Sequence, residues 1–492
     1  MASASLLNLV YSGLQEDRLL PPKGIAKIDS FQKVFRKTGR FTTEWFRLNF
    51  DGRASFGTTA RATLPRRGHL ITKAFLVTVM PDISTVQATA VAQATAVAQA
   101  GSTVSPSFGW TNSIGHALIQ DTRITIAGEP IDIMDGRLLE VLDEFHTPLE
   151  KVTTVNRMLG RHDSGFTAKS NGYAAPNQEV ITPLPFWFMR GDPSAALPID
   201  AISLDSVQIN VTYSPLASLY VSDTLSSAAA GYVPLTGTTF TYMNGTSVVP
   251  TTVTTASSYD IVDSYILLEY VYLDKPEANR IRLANIEYPI VQHYAITPFE
   301  TRGSTAKIPM RIPNLTRELY FMVHRPEADA YNAPFLATRD LSSGGPGVWW
   351  PDAQGLSTKS YARLIPAYST LDSEPINSVS LVYEGFLVRY ATDMPALFRS
   401  ILPGMEQRKT PWHNKYYYHI PFGTQHEQFG ITNAMGHANL DKIQRVELSM
   451  TFKPFRGSMR MTDVPAYTVY CWAETYALLR VYGGRAGLLF GY

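Results

Sequence analysis

The chain has 492 residues, 45% of them hydrophobic, and sets 43 Lys and Arg against 42 Asp and Glu for a formal net charge of +1. Single hydrophobic cores stop growing at roughly 250–300 residues, so two domains are expected. Near-neutral charge without a block of like residues excludes wrapping naked nucleic acid as the main work, and a single cysteine, Cys471, excludes an intramolecular disulfide framework and a Cys/His zinc cluster.

In chain order, Met1–Val10 carries neither a basic region nor an apolar stretch of signal-peptide length, and nowhere do about 18 apolar residues run together, so a soluble product of the cytosol is expected. Residues 1–47 hold eight basic and four acidic residues, with Lys33, Arg36, Lys37 and Arg40 closest together. A solvated face accounts for that cluster when charge alone is read. A hairpin is expected from Thr58–Leu64 through Pro65–His69 into Leu70–Met80, where Phe75, Val77 and Val79 alternate with Leu76 and Thr78 in the period of a strand. Residues 86–100 nearly repeat an Ala, Thr, Val and Gln pattern and read as a projecting loop, with a short Ala-rich helix as the alternative.

Strand Arg123–Ala127 leads into the one convincing helix of the first half, Asp135–Phe145, whose apolar residues at 138, 139, 141, 142 and 145 form one buried face. Arg190-Gly191-Asp192 spells the tripeptide of integrin ligands, but within the aromatic and proline-rich string Leu184–Ile199 a turn is the simpler reading. Strands Ser206–Tyr213 and Tyr265–Leu273 bracket a Ser-, Thr-, Gly- and Ala-rich stretch, 218–258, read as a second projecting loop. Later strands are expected at Ser378–Glu384, Val446–Phe452 and Ala477–Tyr482, and Gly483–Gly487 reads as a turn because no helix follows to orient a phosphate. Short β-branched and aromatic segments punctuated by 33 Gly and 32 Pro indicate an all-β sandwich or barrel rather than βαβ units. Trp349, Trp350 and Trp412 in connecting segments are candidate interface anchors, or caps on their own barrels. The sequons at Asn210, Asn244 and Asn314 read as chance matches in a Thr-rich chain.

Enzymatic readings can be tested by spacing. A metal-binding jelly roll needs two histidines two residues apart with a nearby glutamate, and none of the ten histidines is so paired. HExxH, a GxSxG elbow and a phosphate-binding loop ending in Gly-Lys-Ser/Thr are all missing, and no two of the 42 acids are singled out as a glycosidase pair.

Several strings, in order, resemble the major capsid proteins of the nucleocytoplasmic large DNA viruses. They are Phe31–Thr42, with a basic cluster between aromatics; Trp110, Asn112, Ser113 and Gly115-His116-Ala117-Leu118; and Leu184-Pro185-Phe186-Trp187-Phe188 with Ala196-Leu197-Pro198 following. Glu269–Asp274, Ile286–Gln292, Tyr416–Phe422, Gly430–Asn433 and Leu478–Leu488 extend the resemblance over most of the chain. Two stretches depart from the family pattern, Lys275–Arg280, where Pro276 suits a helix only in its first turn, and Asn439–Ile443.

The resemblance implies two consecutive eight-stranded jelly-roll barrels, a double jelly roll with short helices in its loops: an N-terminal arm at 1–27, a first barrel at 28–275, a connector at 276–286 and a second barrel at 287–492. It further implies a structural protein of the virion and not an enzyme, without cofactors, that trimerises into a pseudo-hexagonal capsomer of an icosahedral shell assembled in the host cytoplasm. Neighbouring capsomers, minor capsid proteins and an inner membrane are the implied partners, with Lys33, Arg36, Lys37 and Arg40 turned toward the particle interior. A minor capsid or glycan-binding jelly roll is the alternative.

Overall fold

A computed structural model describes residues 39–83, 108–161, 179–191, 193–222, 242–244, 247–249, 259–339, 341–342, 365–366, 374–405, 409–411, 415–423, 436–454 and 464–489. Met1–Phe41 and Thr42–Tyr492 are separate compact units, and of the first only exposed, extended residues at its end are described, Arg40 among them.

Among the described residues, sixteen strands form four sheets of four. The first eight are β1 (Phe41–Asn49), β2 (Thr59–Thr63), β3 (Leu70–Val79), β4 (Ile119–Ile126), β5 (Glu129–Asp135), β6 (Glu179–Pro183), β7 (Val207–Tyr213) and β8 (Asp263–Leu273). The next eight are β9 (Ile286–Thr301), β10 (Thr305–Met310), β11 (Leu315–His324), β12 (Ile376–Tyr383), β13 (Leu387–Thr392), β14 (Tyr417–Pro421), β15 (Val446–Phe452) and β16 (Tyr467–Tyr482). Sheet I has the order β1-β8-β3-β6 and sheet II the order β2-β7-β4-β5; sheet III runs β9-β16-β11-β14 and sheet IV β10-β15-β12-β13. Adding eight to every label of the first pair of sheets reproduces the second. The chain is a double jelly roll, with β1, β5, β9 and β13 each at a sheet edge.

Alternation explains the sheets. In β2, Ala60 and Ala62 are buried while Thr59, Arg61 and Thr63 are exposed, and in β10 Ala306, Ile308 and Met310 point inward between exposed neighbours. Sheet III departs from this rule: nine of the ten residues of β11 and all of β14 are buried, so it is covered on both faces. One apolar cluster fills the first barrel and continues onto the outer face of sheet III through Tyr320, Met322, Tyr417 and Trp472; another, with Leu319, Phe321, Tyr418 and Cys471, fills the second barrel.

Three helices matter to the argument. Helix α1 (Gly136–His146) buries the apolar face expected of it and is capped by Asp135, whose Oδ1 accepts from the Leu138 N–H at 2.6 Å. Helix α2 (Val152–Leu159) ends at Gly160 in the left-handed conformation. Helix α3 (Lys275–Leu283) occupies most of 276–286, and Pro276 does fall in its first turn behind the cap Asp274.

The expected hairpin at 58–80 is wrong in its pairing. Both strands exist, but β2 pairs with β7 in sheet II and β3 with β8 and β6 in sheet I. Residues 64–69 cross between the sheets, held by Leu64 N–H on the Val207 carbonyl (2.9 Å) and Tyr270 OH on the Pro65 carbonyl (2.7 Å). A two-residue period identifies a strand but not its partner, which here is distant in sequence. Gly483 and Gly484 form the expected turn, both at positive φ, between β16 and Arg485–Leu488. Residues 86–100 lie outside the described residues, but the roots of the two expected loops, Phe108–Trp110 and Tyr220–Ser222, pair with each other.

Candidate functional site

Among the described residues, a large cluster of buried ionisable groups lies where one barrel meets the other, and this joint is the candidate site. Helix α1 supplies the first half of that joint. Glu140, Asp143 and Glu144, spaced i, i+3 and i+4, line one side of the helix and are all buried from solvent or nearly so. Glu140 Oε2 meets His116 Nδ1 and the Arg161 guanidinium, both at 2.6 Å, and Asp143 meets Arg161 at 2.5 Å. Lys415 and Lys409 enter from the second barrel: Lys415 Nζ lies 2.6 Å from both Glu140 and Glu144, and Lys409 lies 2.9 Å from Glu144. Three carboxylates thus face Arg161 and two lysines. Burial opposes their charge, yet Arg161 and the lysines hold Glu140 well below the usual carboxylate range and lower Asp143 and Glu144 as well.

The second half lies on the outer face of sheet III. His293 of β9, Glu474 of β16 and Glu318 of β11 stand in adjacent register, all buried. Arg190 of the first barrel reaches across to Glu474 at 2.7 Å, and Arg317 donates to the same oxygen at 2.9 Å. Burial acts against Glu474, but these two guanidiniums hold its carboxyl at about 2. Arg190 can only donate, so His293 Nε2, 2.8 Å away, accepts, and the ring carries its proton on Nδ1 toward Asp132 of β5 at 3.1 Å.

Asp132 also accepts the backbone N–H of His293 at 2.9 Å, and Gln292 donates to the Ile131 carbonyl, so edge strand β5 covers edge strand β9. Phe145 of α1 packs on Tyr320 and His419 with ring centroids 5.8 and 5.6 Å away. The helix cap Asp135 uses its second oxygen to accept from Trp472 Nε1 at 3.1 Å. A cleft of about 520 Å³ opens beside the joint, but His116, Asp143, His146, Arg190 and Arg317 on its wall are already engaged in it.

Of the candidates read from the sequence, Lys33, Arg36, Lys37, Trp349, Trp350 and Trp412 lie outside the described residues, and Arg40 is exposed at the end of the first unit. Arg190 of the tripeptide is committed to Glu474. The joint itself escaped sequence reasoning. Its signals were Glu140 and Glu144 beside the apolar face of α1, and Glu474 inside a strand apolar in both phases.

The family model described as major capsid protein N-terminus matches residues 29–274. Over 329 residues the chain is 25% identical to capsid protein 1 of Acanthamoeba polyphaga mimivirus, covering 65% of this chain and 48% of that protein. It is 24% identical to the major capsid protein of Chrysochromulina ericina virus over 68% of this chain and 60% of that one. These alignments thus span about half to three fifths of the relatives' lengths. The frog virus 3 major capsid protein is 19% identical over 87% of this chain and 83% of its own. Among solved structures, VP54 of PBCV-1 superposes with a TM-score of 0.67 at 19% identity, covering 94% of this chain and all of that one, and the Faustovirus major capsid protein with 0.64 at 12% identity, covering 93% of each. With its first barrel matched by the family model and two jelly rolls in tandem, the chain belongs to the major capsid protein family of the nucleocytoplasmic large DNA viruses.

Proposed function

We propose that this protein is the structural tile of an icosahedral virus shell, a homotrimer whose six barrels form a pseudo-hexagonal capsomer, and that it catalyses no reaction. The observation that carries this reading is the strand-for-strand repetition of sheets I and II in sheets III and IV. Two like wedges per chain, repeated by a threefold axis, make six, the symmetry that packs a flat facet. The joint supports it: the ionisable groups of α1 and sheet III are spent on holding the wedges in one orientation. In this reading residues 28–275 and 287–492 are the wedges, the protein resides in the virion after assembly in the host cytoplasm, and its partners are its own copies and neighbouring capsomers. Lys33, Arg36, Lys37 and Arg40 then face minor capsid proteins or acidic headgroups of a membrane inside the shell, and Trp349, Trp350 and Trp412 remain candidates for contacts between copies.

Light scattering coupled to size exclusion tests the tile directly. A mass three times 54.6 kDa with a hexagonal outline in negative stain is the expected result. A stable monomer would overturn it.

A further inference from the structure

The cleft of about 520 Å³ beside the joint has the size of a small-molecule site, and it grades from an apolar interior to a charged rim. Leu139 and Leu142 of α1, both buried, lie deepest in it. Val155 of α2, Pro185 and Met189 are half-buried along its walls, and Lys151, at the start of α2, stands exposed at its edge.

The other ionisable groups on the wall already have partners. His116 sits on Glu140, Asp143 on Arg161, His146 on Tyr320, and Arg190 and Arg317 on Glu474. Thr147 spends its hydroxyl on Asp143. Lys151 is different: it has no carboxylate partner among the described residues, and its neighbour Glu150 does not line the cleft.

A ligand entering the cleft therefore meets apolar side chains and one uncommitted cation. A sugar or a nucleotide would bury hydroxyls or base edges with little left to pair them, whereas an alkyl chain gains by leaving water. A single positive charge at the rim matches a single negative charge, and the flexible side chain of Met189 adapts to a chain of irregular course. We infer that this cleft binds a single-chain alkyl carboxylate, its chain along Leu142, Val155, Pro185 and Met189 and its head at Lys151.

The site lies within one chain and goes beyond the structural reading without depending on it. Leu139 and Leu142 stand on the helix that carries Glu140, Asp143 and Glu144, and Arg317 on the same wall comes from the second barrel. A bound chain thus packs against both halves of the joint, and because it binds the folded form it stabilises that form by mass action.

Dodecanoate and dodecyltrimethylammonium, each below its micellar concentration, test the site on the full chain by isothermal titration calorimetry and thermal unfolding. Dodecanoate is expected to bind at one per chain and to raise the melting temperature, while the cation of equal chain length does neither. Lys151→Glu, at an exposed position, should weaken dodecanoate roughly fivefold or more, the scale of an exposed ion pair lost and a repulsion gained. Val155→Trp, which fills the cleft from α2, should abolish binding while its circular dichroism stays that of the parent; should it fail to fold, Lys151→Glu alone decides. Absence of saturable dodecanoate binding, equal binding of the two amphiphiles, or a dodecanoate affinity unchanged by Lys151→Glu would overturn the proposal.

Discussion

Asp135 does two things with one carboxylate, capping α1 through the Leu138 N–H and holding Trp472 of the second barrel. Burial raises its pKa, so its charge is a cost that its acceptor geometry offsets. Asp135→Ala should therefore lose about 1–3 kcal/mol in denaturant unfolding, while Asp135→Asn, which keeps one acceptor but sets its amide NH2 against the other N–H, should recover only part of that loss. Glu140 is the opposite case, a carboxylate whose charge is required. Glu140→Gln leaves Arg161 and Lys415 facing a neutral amide, with an expected loss of about 3–5 kcal/mol. The pH dependence follows the same signs. Glu140, Asp143, Glu144 and Glu474 all have folded values below their ordinary ones, so their contribution is complete above about pH 4.5 and drains away as pH falls through the folded values, that of Glu474 lying at about 2. Asp135 shifts the other way and softens the loss. Urea midpoints flat from pH 6 to 5 and falling steeply from 4 to 2.5 would agree; a midpoint that rises on acidification would contradict the paired carboxylates.

At the scale of elements, sequence pattern identified α1 to within a residue, β15 at both ends and the turn at Gly483–Gly484, because each is written in local chemistry: a cap and a 3.6-residue stripe, a two-residue alternation, a pair of glycines. It misjudged the pairing of β2 and β3, and it could not see that α1 carries three carboxylates into a joint whose lysines lie some 270 residues further on. Partner choice across such separations is set by packing, which no local window contains. Gly136 shows the difference in one residue. Helix propensity alone says that Gly136→Ala should stabilise α1 by about 1 kcal/mol. A Cβ there would lie 2.4 Å from the carbonyl oxygens of both His116 and Ile119, which are backbone and cannot swing aside. The expected result is a loss of about 1–3 kcal/mol in thermal or denaturant unfolding. A gain would mean that the close approach of α1 to that turn is not maintained in solution.

For the whole molecule the question is whether two barrels melt as two. Contacts between domains of one chain are usually modest and polar, and multidomain proteins commonly unfold in steps. Here the apolar cluster of the first barrel runs without a break onto sheet III, and the buried charges of that face are neutralised from the other barrel. Unfolding the first barrel alone would strip cover from Tyr320 and Trp472, take Arg190 from Glu474 and leave Lys415 without its carboxylates, and unfolding the second alone would take Lys409 and Lys415 from Glu140 and Glu144, so neither has a cheap half-unfolded state. Calorimetry of the parent should accordingly show one endotherm whose calorimetric and van't Hoff enthalpies agree. In Glu140→Gln combined with Asp135→Ala, which cut the ionic and hydrogen-bonded sides of the joint, that endotherm should split in two. Two transitions already resolved in the parent, or a double variant that melts lower but still as one, would mean that the cooperativity comes from somewhere other than the joint.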